Sequence, residues 1–310
     1  MPLPIMKIIY ILITILLCSS VSAQHVDTTL DITAKWKKGE KKELVITRKK
    51  EKIENDKYDP SFNLTYLAHI SILDSTSEVY TIQWTLDLPK ELKESNPGIE
   101  KSMPIYNGFK IIFTTDKKGS FKNLTNWEEV RDVYMNMSSA SIQGEDSIGK
   151  ATFDKVKAMF NSQQMVEAAF IKDVQLYYAP YGGQFTTQGV SSSTLLPNPF
   201  GGESMPAVTL QKIEKINPEI NSFTAIFTQK LDSTGTRILM SSMYKALDLP
   251  ADKIDSVNKY TNDMLSKFRI EDNSEYQVVS STGWIISLKY ERIGFIDKMK
   301  QTETFLIRMK

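Results

Sequence analysis

Long runs in which apolar and polar side chains alternate are the feature of this sequence that most constrains its fold. In the segment KKELVITRKKEKIE, Lys41–Glu54, the side chains of Leu44, Ile46 and Arg48 fall on one side of an extended chain. Alternation with a period of two residues is typical of a β-strand that buries one face. The segment therefore predicts a strand with charged ends.

Two hairpins are predicted after this strand. The segments FNLTYLAHISIL (Phe62–Leu73) and EVYTIQWTLDL (Glu78–Leu88) both alternate, and the turn-forming residues DSTS stand between them. A second pair, GFKIIFTT and GSFKNLT, is joined across Asp116–Gly119. Strands joined by short Asp-, Ser- and Gly-rich turns pair as antiparallel neighbours, so the first third of the chain predicts an antiparallel sheet.

From Asn126 the apolar spacing changes to that of a helix. NWEEVRDVYMNMSSAS places apolar residues three and four apart, and Asn126 is expected to cap the helix. The segments FDKVKAMF and QQMVEAAFIKDVQLYY continue the helical pattern, with a separation near Asn161 and Ser162. One more helix is predicted over Ala251–Phe268.

The segment 179–206 differs from its surroundings in composition. It is rich in Gly, Ser, Thr and Pro, which is typical of a loop or linker. The predicted organisation is therefore a signal peptide over 1–23, strands and central helices over 24–178, this loop or linker, and strands with one helix over 207–310. The expected fold class is α+β, with a mainly antiparallel, curved β-sheet packed on or wrapped around the central helical segment, and the two halves can form a single domain.

The N-terminus has the pattern of a secretory signal peptide. Lys7 precedes the apolar run Ile8–Leu17, and small residues follow it up to Ala23. Cleavage is expected between Ala23 and Gln24, and the product is expected in the periplasm or at the cell surface. The apolar run is shorter than the roughly 20 residues that span a bilayer as a helix.

A lipoprotein modification at Cys18 is the alternative for this N-terminus. It is disfavoured because Leu17, directly before the cysteine, is not small. Cys18 is the chain's one cysteine, so the expected mature chain has none and relies on its core instead of disulfides. No transmembrane segment is predicted in the mature chain.

The charge balance argues against a nucleic-acid partner. The chain has 38 basic and 37 acidic residues, and cleavage would remove Lys7, leaving 37 of each in 310 − 23 = 287 residues. Nucleic-acid binding relies on a basic excess that this chain lacks. The length is sufficient for one large core or two small ones.

Four segments of the chain are similar to those of known proteins: WKKGEKKELVITRKK, DKKGSFKNLTNWEEV, PNPFGGESMPAVTL and STGWIISLKYERIGFIDKMKQTETFLIRMK. In these segments the chain resembles an exported bacterial protein family that is a domain of unknown function. Together these motifs extend over most of the expected mature chain. The resemblance implies an exported α+β domain and supplies no catalytic residue.

Few side chains are available for catalysis or metal binding. Of the two histidines, His25 lies at the expected mature N-terminus and His69 lies in a predicted strand, so zinc sites and histidine-dependent triads are disfavoured. The carboxylates that remain as candidates by type are Glu128 with Glu129, Asp272 with Glu275, and Glu303. Glu128 and Glu129 have a structural interpretation, because acids in the first helical turn complement the helix dipole. No catalytic, cofactor-binding or metal-binding residue is assigned.

The function expected from these features is that of a non-enzymatic envelope protein. Met159, Phe160, Met165 and Phe170 could line an apolar cleft for a ligand, although filling a core is the stronger interpretation. The candidate partners are a lipid or another envelope protein. Two alternatives stay open: a carboxylate-dependent glycan hydrolase, and a structural component of an envelope assembly.

Overall fold

One large β-sheet dominates the fold. The computed structural model describes residues 28–95, 103–141, 157–158, 160–198, 200–246, 268–296 and 299–310. The strands of the sheet are β1 (Thr29–Asp31), β2 (Lys41–Glu54), β3 (Lys57–Ser75), β4 (Val79–Asp87), β5 (Asn107–Asp116), β6 (Phe121–Leu124), β7 (Gln184–Thr186), β8 (Val190–Leu196), β9 (Met205–Asn217), β10 (Ser222–Leu231), β11 (Phe268–Val279), β12 (Ile285–Ile296) and β13 (Met299–Met309).

The strand order joins the two halves of the sequence. It runs β1-β7-β9-β10-β11-β12-β13-β2-β3-β4-β5-β6, and β8 pairs with β9 beside β7. All pairs are antiparallel except the short contact of β7 with β9. The β2 strand and both predicted hairpins are confirmed. The pairing of β13 with β2 places strands from both predicted halves in one sheet.

The helices are fewer and shorter than the strands. Those described are α1 (Lys90–Ser95), α2 (Trp127–Ser141), α3 (Gln163–Phe170), α4 (Lys172–Tyr178) and α5 (Ser233–Ala246), together with a 3₁₀ turn at Pro104–Tyr106. The helix predicted after Asn126 is confirmed as α2. The helix predicted over Ala251–Phe268 lies outside the described residues except for Phe268, which begins β11.

Asn126 precedes α2 as expected but does not cap it with its side chain. Its backbone carbonyl accepts from Val130. The side-chain oxygen accepts from the backbone of Ile112 at 2.8 Å, and the amide nitrogen donates to Lys110 and Glu129. Asn126 therefore ties the start of the helix to β5.

The sequence pattern does not reveal a break inside the segment 163–178. The chain leaves the helical conformation at Ile171, with φ −118° and ψ 37°, and starts again as α4. Ile171 is fully buried, and a packed β-branched side chain readily overrides local helix propensity. The break places Lys172 and Asp173 in the first turn of a separate helix.

The segment 179–206 contains strands that the loop or linker interpretation missed. It includes β7 and β8, and β9 begins at Met205. The sequence of β8, VSSSTLL, has little apolar alternation, and the strand is placed by pairing with β9 along its length. Strand propensity depends strongly on such neighbours, which a composition argument does not include.

One face of the sheet, which we call the inner face, packs against α4. Leu44 and Ile46 of β2 lie on this face and are fully buried. The Tyr177 hydroxyl donates to the carbonyl of Ile285 at 2.8 Å, and the Tyr276 hydroxyl donates to the carbonyl of Leu176 at 3.1 Å. Burial of these aromatic rings, with their hydroxyls satisfied, fixes α4 on the inner face.

The two ends of the sheet contact each other at what we call the sheet-end junction. The backbone of Ala34, which follows β1, donates to the carbonyl of Lys118 in the β5–β6 turn at 2.8 Å. Asp116 shapes that turn, because its Oδ1 accepts from the backbones of Lys118 and Ser120 at 2.9 Å each. Beneath the junction, rings pack closely: Trp36 on Trp284 at 4.8 Å, on Tyr181 at 5.1 Å and on Tyr80 at 5.2 Å between centroids.

Candidate functional site

Four charged side chains form a row across the inner face, which we call the charge row. Lys50 of β2 is opposite Glu303 of β13, which is opposite Arg292 of β12, which is opposite Asp272 of β11. Directly paired residues share a face, with Cβ atoms about 5 Å apart. The signs alternate along the row, so each charge has neighbours of opposite sign.

Glu303 is the most heavily contacted member of the charge row. Its side chain is 10% exposed and lies 2.6 Å from Arg48 Nη2 and 3.8 Å from Lys50 Nζ. It also pairs with Lys172 from α4. Burial alone would raise the pKa of Glu303, but Lys172 and Arg48 outweigh burial and hold the pKa below its ordinary value. Glu303 is therefore an ionised anchor for three cations.

Lys172 connects α4 to the charge row. Its ammonium lies 5.1 Å from the ring centroid of Tyr290 and 5.5 Å from that of Phe305. Burial, together with repulsion by Arg292, lowers the pKa of Lys172 to about 8, although Glu303 opposes the shift. The lysine is thus mostly charged at neutral pH and close to its titration range.

Arg292 and Asp272 form a two-pronged ion pair. The Nε–Oδ1 distance is 2.7 Å and the Nη2–Oδ2 distance is 2.6 Å, and Tyr290 donates to the same carboxylate at 2.9 Å. Burial would lower the pKa of Arg292, but the bond to Asp272 outweighs it and the pKa is raised. This geometry is the strong, planar form of arginine–carboxylate pairing.

A pocket of about 180 Å³ adjoins the charge row, and we call it the charge-row pocket. Gly294 opposes Gln301 beyond the row and has no side chain to fill the space. A Cβ built on Gly294 would meet just one atom within 4 Å, the Gln301 carbonyl oxygen at 3.9 Å. Apolar and charged side chains share the walls, which consist of Lys50, Ile270, Arg292, Gly294, Met299, Gln301 and Glu303.

Lys50 is the least committed cation of the pocket wall. Arg292 is held by Asp272, whereas Lys50 lies 3.8 Å from a carboxylate that Arg48 and Lys172 contact more closely. A pocket with partly apolar walls and one loosely paired cation at its side is suited to an amphipathic molecule with a negative group.

Asp173 is buried next to this network without a cation in direct contact. The Tyr66 hydroxyl lies 3.4 Å from its Oδ2, and the backbone of Val174 donates to its Oδ1 at 3.0 Å. Burial raises the pKa of Asp173 to about 6, against the opposing effects of these two donors and of Arg48. Burial of this carboxyl therefore destabilises the folded state when the carboxyl is ionised.

The structure separates the carboxylates that the sequence offered for catalysis. Asp272 opposes Arg292 and Glu275 opposes Lys289, so the two acids project from opposite faces of β11. Glu128 and Glu129 lie in the first turn of α2. Glu303 and Asp272 do share the inner face, but each is held by an arginine.

Glu303 does not have the protonation state that a glycoside hydrolase needs in its general acid. A hydrolase of the two-carboxylate type requires a general acid with a raised pKa, and the pKa of Glu303 is lowered. Glu303 therefore gives no support to the hydrolase alternative as its general acid.

His69 lies away from the site, and the structure does not describe the predicted processing residues. His69 opposes Glu43, at 3.7 Å from its carboxylate, on the face opposite to α4. Cys18, Ala23 and Gln24 lie outside the described residues, so signal cleavage stays a prediction. Across the described ranges, no three side chains of His, Cys, Asp or Glu are grouped to hold a metal ion.

Sequence reasoning missed the cations of the site. Arg48 falls on the same side of β2 as Leu44 and Ile46. A charged side chain on a buried face needs a partner of opposite charge, so this position signals a partner on another strand of the sheet. The partner, Glu303, is 255 positions away in the sequence. No local pattern marks Lys172, which depends on the break at Ile171.

Comparisons with known proteins assign no family and no function to this site. No protein-family model matches the chain, and no match is found among curated proteins. A solved structure titled "Lipid-protein interactions in lipovitellin" aligns with a TM-score of 0.42 and 8% identity, over 89% of this chain and 25% of that one. The chain thus spans about a quarter of that structure's length, and neither fold nor ligand is inferred from so distant a likeness.

Among the described residues, no helix combines the length and the apolar character that crossing a bilayer requires.

Proposed function

We propose that this chain is an exported, non-enzymatic envelope protein that binds a small anionic amphiphile in the charge-row pocket. The membership in an exported family of unknown function and the signal peptide are part of this proposal. The observation that carries it is the pocket itself, which the apolar Ile270 and Met299 line together with the loosely paired Lys50.

The chemistry of the pocket favours an anion with a short apolar tail. A carboxylate or phosphate headgroup would pair with Lys50, while the tail would occupy the space above Gly294 that lacks a side chain. Burying the tail contributes roughly 25 cal/mol for each Å² removed from water. A cationic headgroup would face Lys50 and Arg292 instead.

The test is isothermal titration of the full chain with octanoate, and with octyltrimethylammonium as the matched cation. Octanoate is expected to bind and the cation is not. Gly294→Leu is expected to abolish octanoate binding, because its side chain would fill the space above Gly294, where an added Cβ meets just the Gln301 carbonyl oxygen at 3.9 Å. Lys50→Gln is expected to weaken binding roughly five- to tenfold, since it removes one charge-assisted contact.

Lys49→Gln is the matched control, because Lys49 neighbours Lys50 in β2 but projects to the other face. It should leave the affinity unchanged. Equal binding of the anion and the cation, or full octanoate binding by Gly294→Leu, would overturn the proposal. If octanoate binds as expected, native mass spectrometry of the protein from its own host would identify the natural ligand.

A further inference from the structure

Among the described residues, β8 is paired along one edge only. It pairs with β9 from Val190 opposite Gln211 to Leu196 opposite Met205, and within the described part of the chain no other segment pairs with it. The backbone N–H and C=O groups on its other side therefore point away from the sheet. A free strand edge of this kind is a template for pairing with another strand.

Features that usually prevent such pairing are missing from β8. Its sequence, VSSSTLL, contains no charged residue and no proline. By contrast, the edge strand β6 has four residues, includes Lys122, and has the backbone N–H of Leu124 bonded to Glu167 at 2.7 Å. Two apolar side chains of β8 are also exposed, one on each face of the strand: Val190 is 48% exposed and Leu195 67%.

We propose that β8 pairs with β8 of a second copy of the chain, antiparallel, across a two-fold axis at Ser193. In this register Ser193 faces itself, Ser192 faces Thr194, and Val190 faces Leu196. Hydroxyls then meet hydroxyls in the middle, apolar side chains meet at both ends, and no like charges oppose each other. A strand that is complementary to itself is what a two-fold interface requires.

Pairing would also cover Val190 and Leu195 from their open side. Leu195 would lie against Ser191 of the second copy, and Val190 against Leu196 of the second copy. The two sheets would continue into each other through backbone hydrogen bonds, which is the way in which strand addition gains affinity. The interface lies outside the charge row, so this inference is independent of the ligand.

The test uses charge at the two-fold axis. Ser193 is exposed, so Ser193→Lys and Ser193→Asp are compatible with the folded chain, yet each places two like charges about 5 Å apart in the dimer. Sedimentation velocity is expected to show a wild-type dimer and a roughly tenfold or larger rise in dissociation constant for each variant. An equimolar mixture of the two variants is expected to restore the dimer.

Ile220→Lys is the matched control, because Ile220 is 52% exposed in the β9–β10 turn, away from the edge. It should dimerise as the wild type does. Circular dichroism spectra are expected to match for all of these chains. A monomeric wild type, or variants that dimerise unchanged, would overturn the proposal, and so would a mixture that stays monomeric.

Cross-linking checks the register. In a Cys18→Ser background, Ser193→Cys is expected to form a covalent dimer on oxidation, because facing Cα atoms in antiparallel strands lie within disulfide reach. Ile220→Cys in the same background should stay uncross-linked. A dimer that Ser193→Cys cannot link would overturn the pairing through Ser193.

Discussion

At the scale of a single residue, Asp173 combines burial with a weak set of partners. Because its pKa is raised from an ordinary 3.8 to about 6, the folded state holds the proton more tightly than the unfolded state does. The stability that Asp173 contributes is present below pH 3.8 and is lost as the pH rises through 6. At neutral pH the ionised carboxylate therefore destabilises the fold.

Asp173→Asn is accordingly expected to raise the free energy of unfolding at pH 7 by on the order of 2–3 kcal/mol, with little change at pH 4. The amide keeps an oxygen that can accept from Tyr66, so the shape and one bond of the site are preserved. Urea unfolding at both pH values measures the effect. A gain of the same size at pH 4 would show that the carboxyl proton is not its source.

At the scale of an element, the ion pair of Lys172 with Glu303 attaches α4 to the sheet. The two partners are expected to contribute unequally to the free energy of unfolding. Glu303 pairs with Arg48, Lys50 and Lys172. Glu303→Gln removes the counter-charge of these three cations and is expected to lower the free energy of unfolding by about 3 kcal/mol. Lys172→Met removes one cation that burial already disfavours, and the glutamate keeps its other two partners. We expect that loss to be at most about 1 kcal/mol.

Urea unfolding at pH 7 compares these two variants directly. Near-ultraviolet circular dichroism shows whether the aromatic packing of α4 is retained in each. The same destabilisation by both would contradict the unequal roles assigned to Glu303 and Lys172.

At the scale of the whole molecule, the sheet-end junction leaves no space around Gly119. A Cβ there would lie 2.8 Å from a ring carbon of Tyr181 and 2.9 Å from the Ala34 Cβ, and φ is +97°. Gly119→Ala thus combines a conformational cost with steric overlap, and about 3 kcal/mol of destabilisation is expected.

Gly108→Ala separates these two contributions. Gly108 has φ +73° but no atom within 4 Å of a built Cβ, so the expected loss is about 1 kcal/mol from conformation alone. Thermal unfolding of both variants measures the difference. Equal shifts in melting temperature would mean that the junction yields to the added methyl group.

The sequence predicts the strands of this fold better than it predicts their arrangement. Alternation is enough to locate β2 and both hairpins, because each depends on neighbours close in sequence. The pairing of β2 with β13 depends on residues more than two hundred positions apart, which no local pattern encodes. For the same reason the sequence identifies Glu303 as an acid of interest without indicating Arg48 or Lys172.

Composition misled the interpretation of β8 for a related reason. Its serines and threonine resemble those of a loop, yet one side of its backbone pairs with β9 along the whole strand.

The central position of β13 has a consequence for the order in which the molecule can assemble. During synthesis β2 is made early, but its edge toward β13 stays open until the chain has been extended by about 250 residues. Closing so long a loop is entropically costly, and folds rich in distant contacts form slowly. A chain of this topology therefore gains its last stabilising contacts late, after β13 has been made.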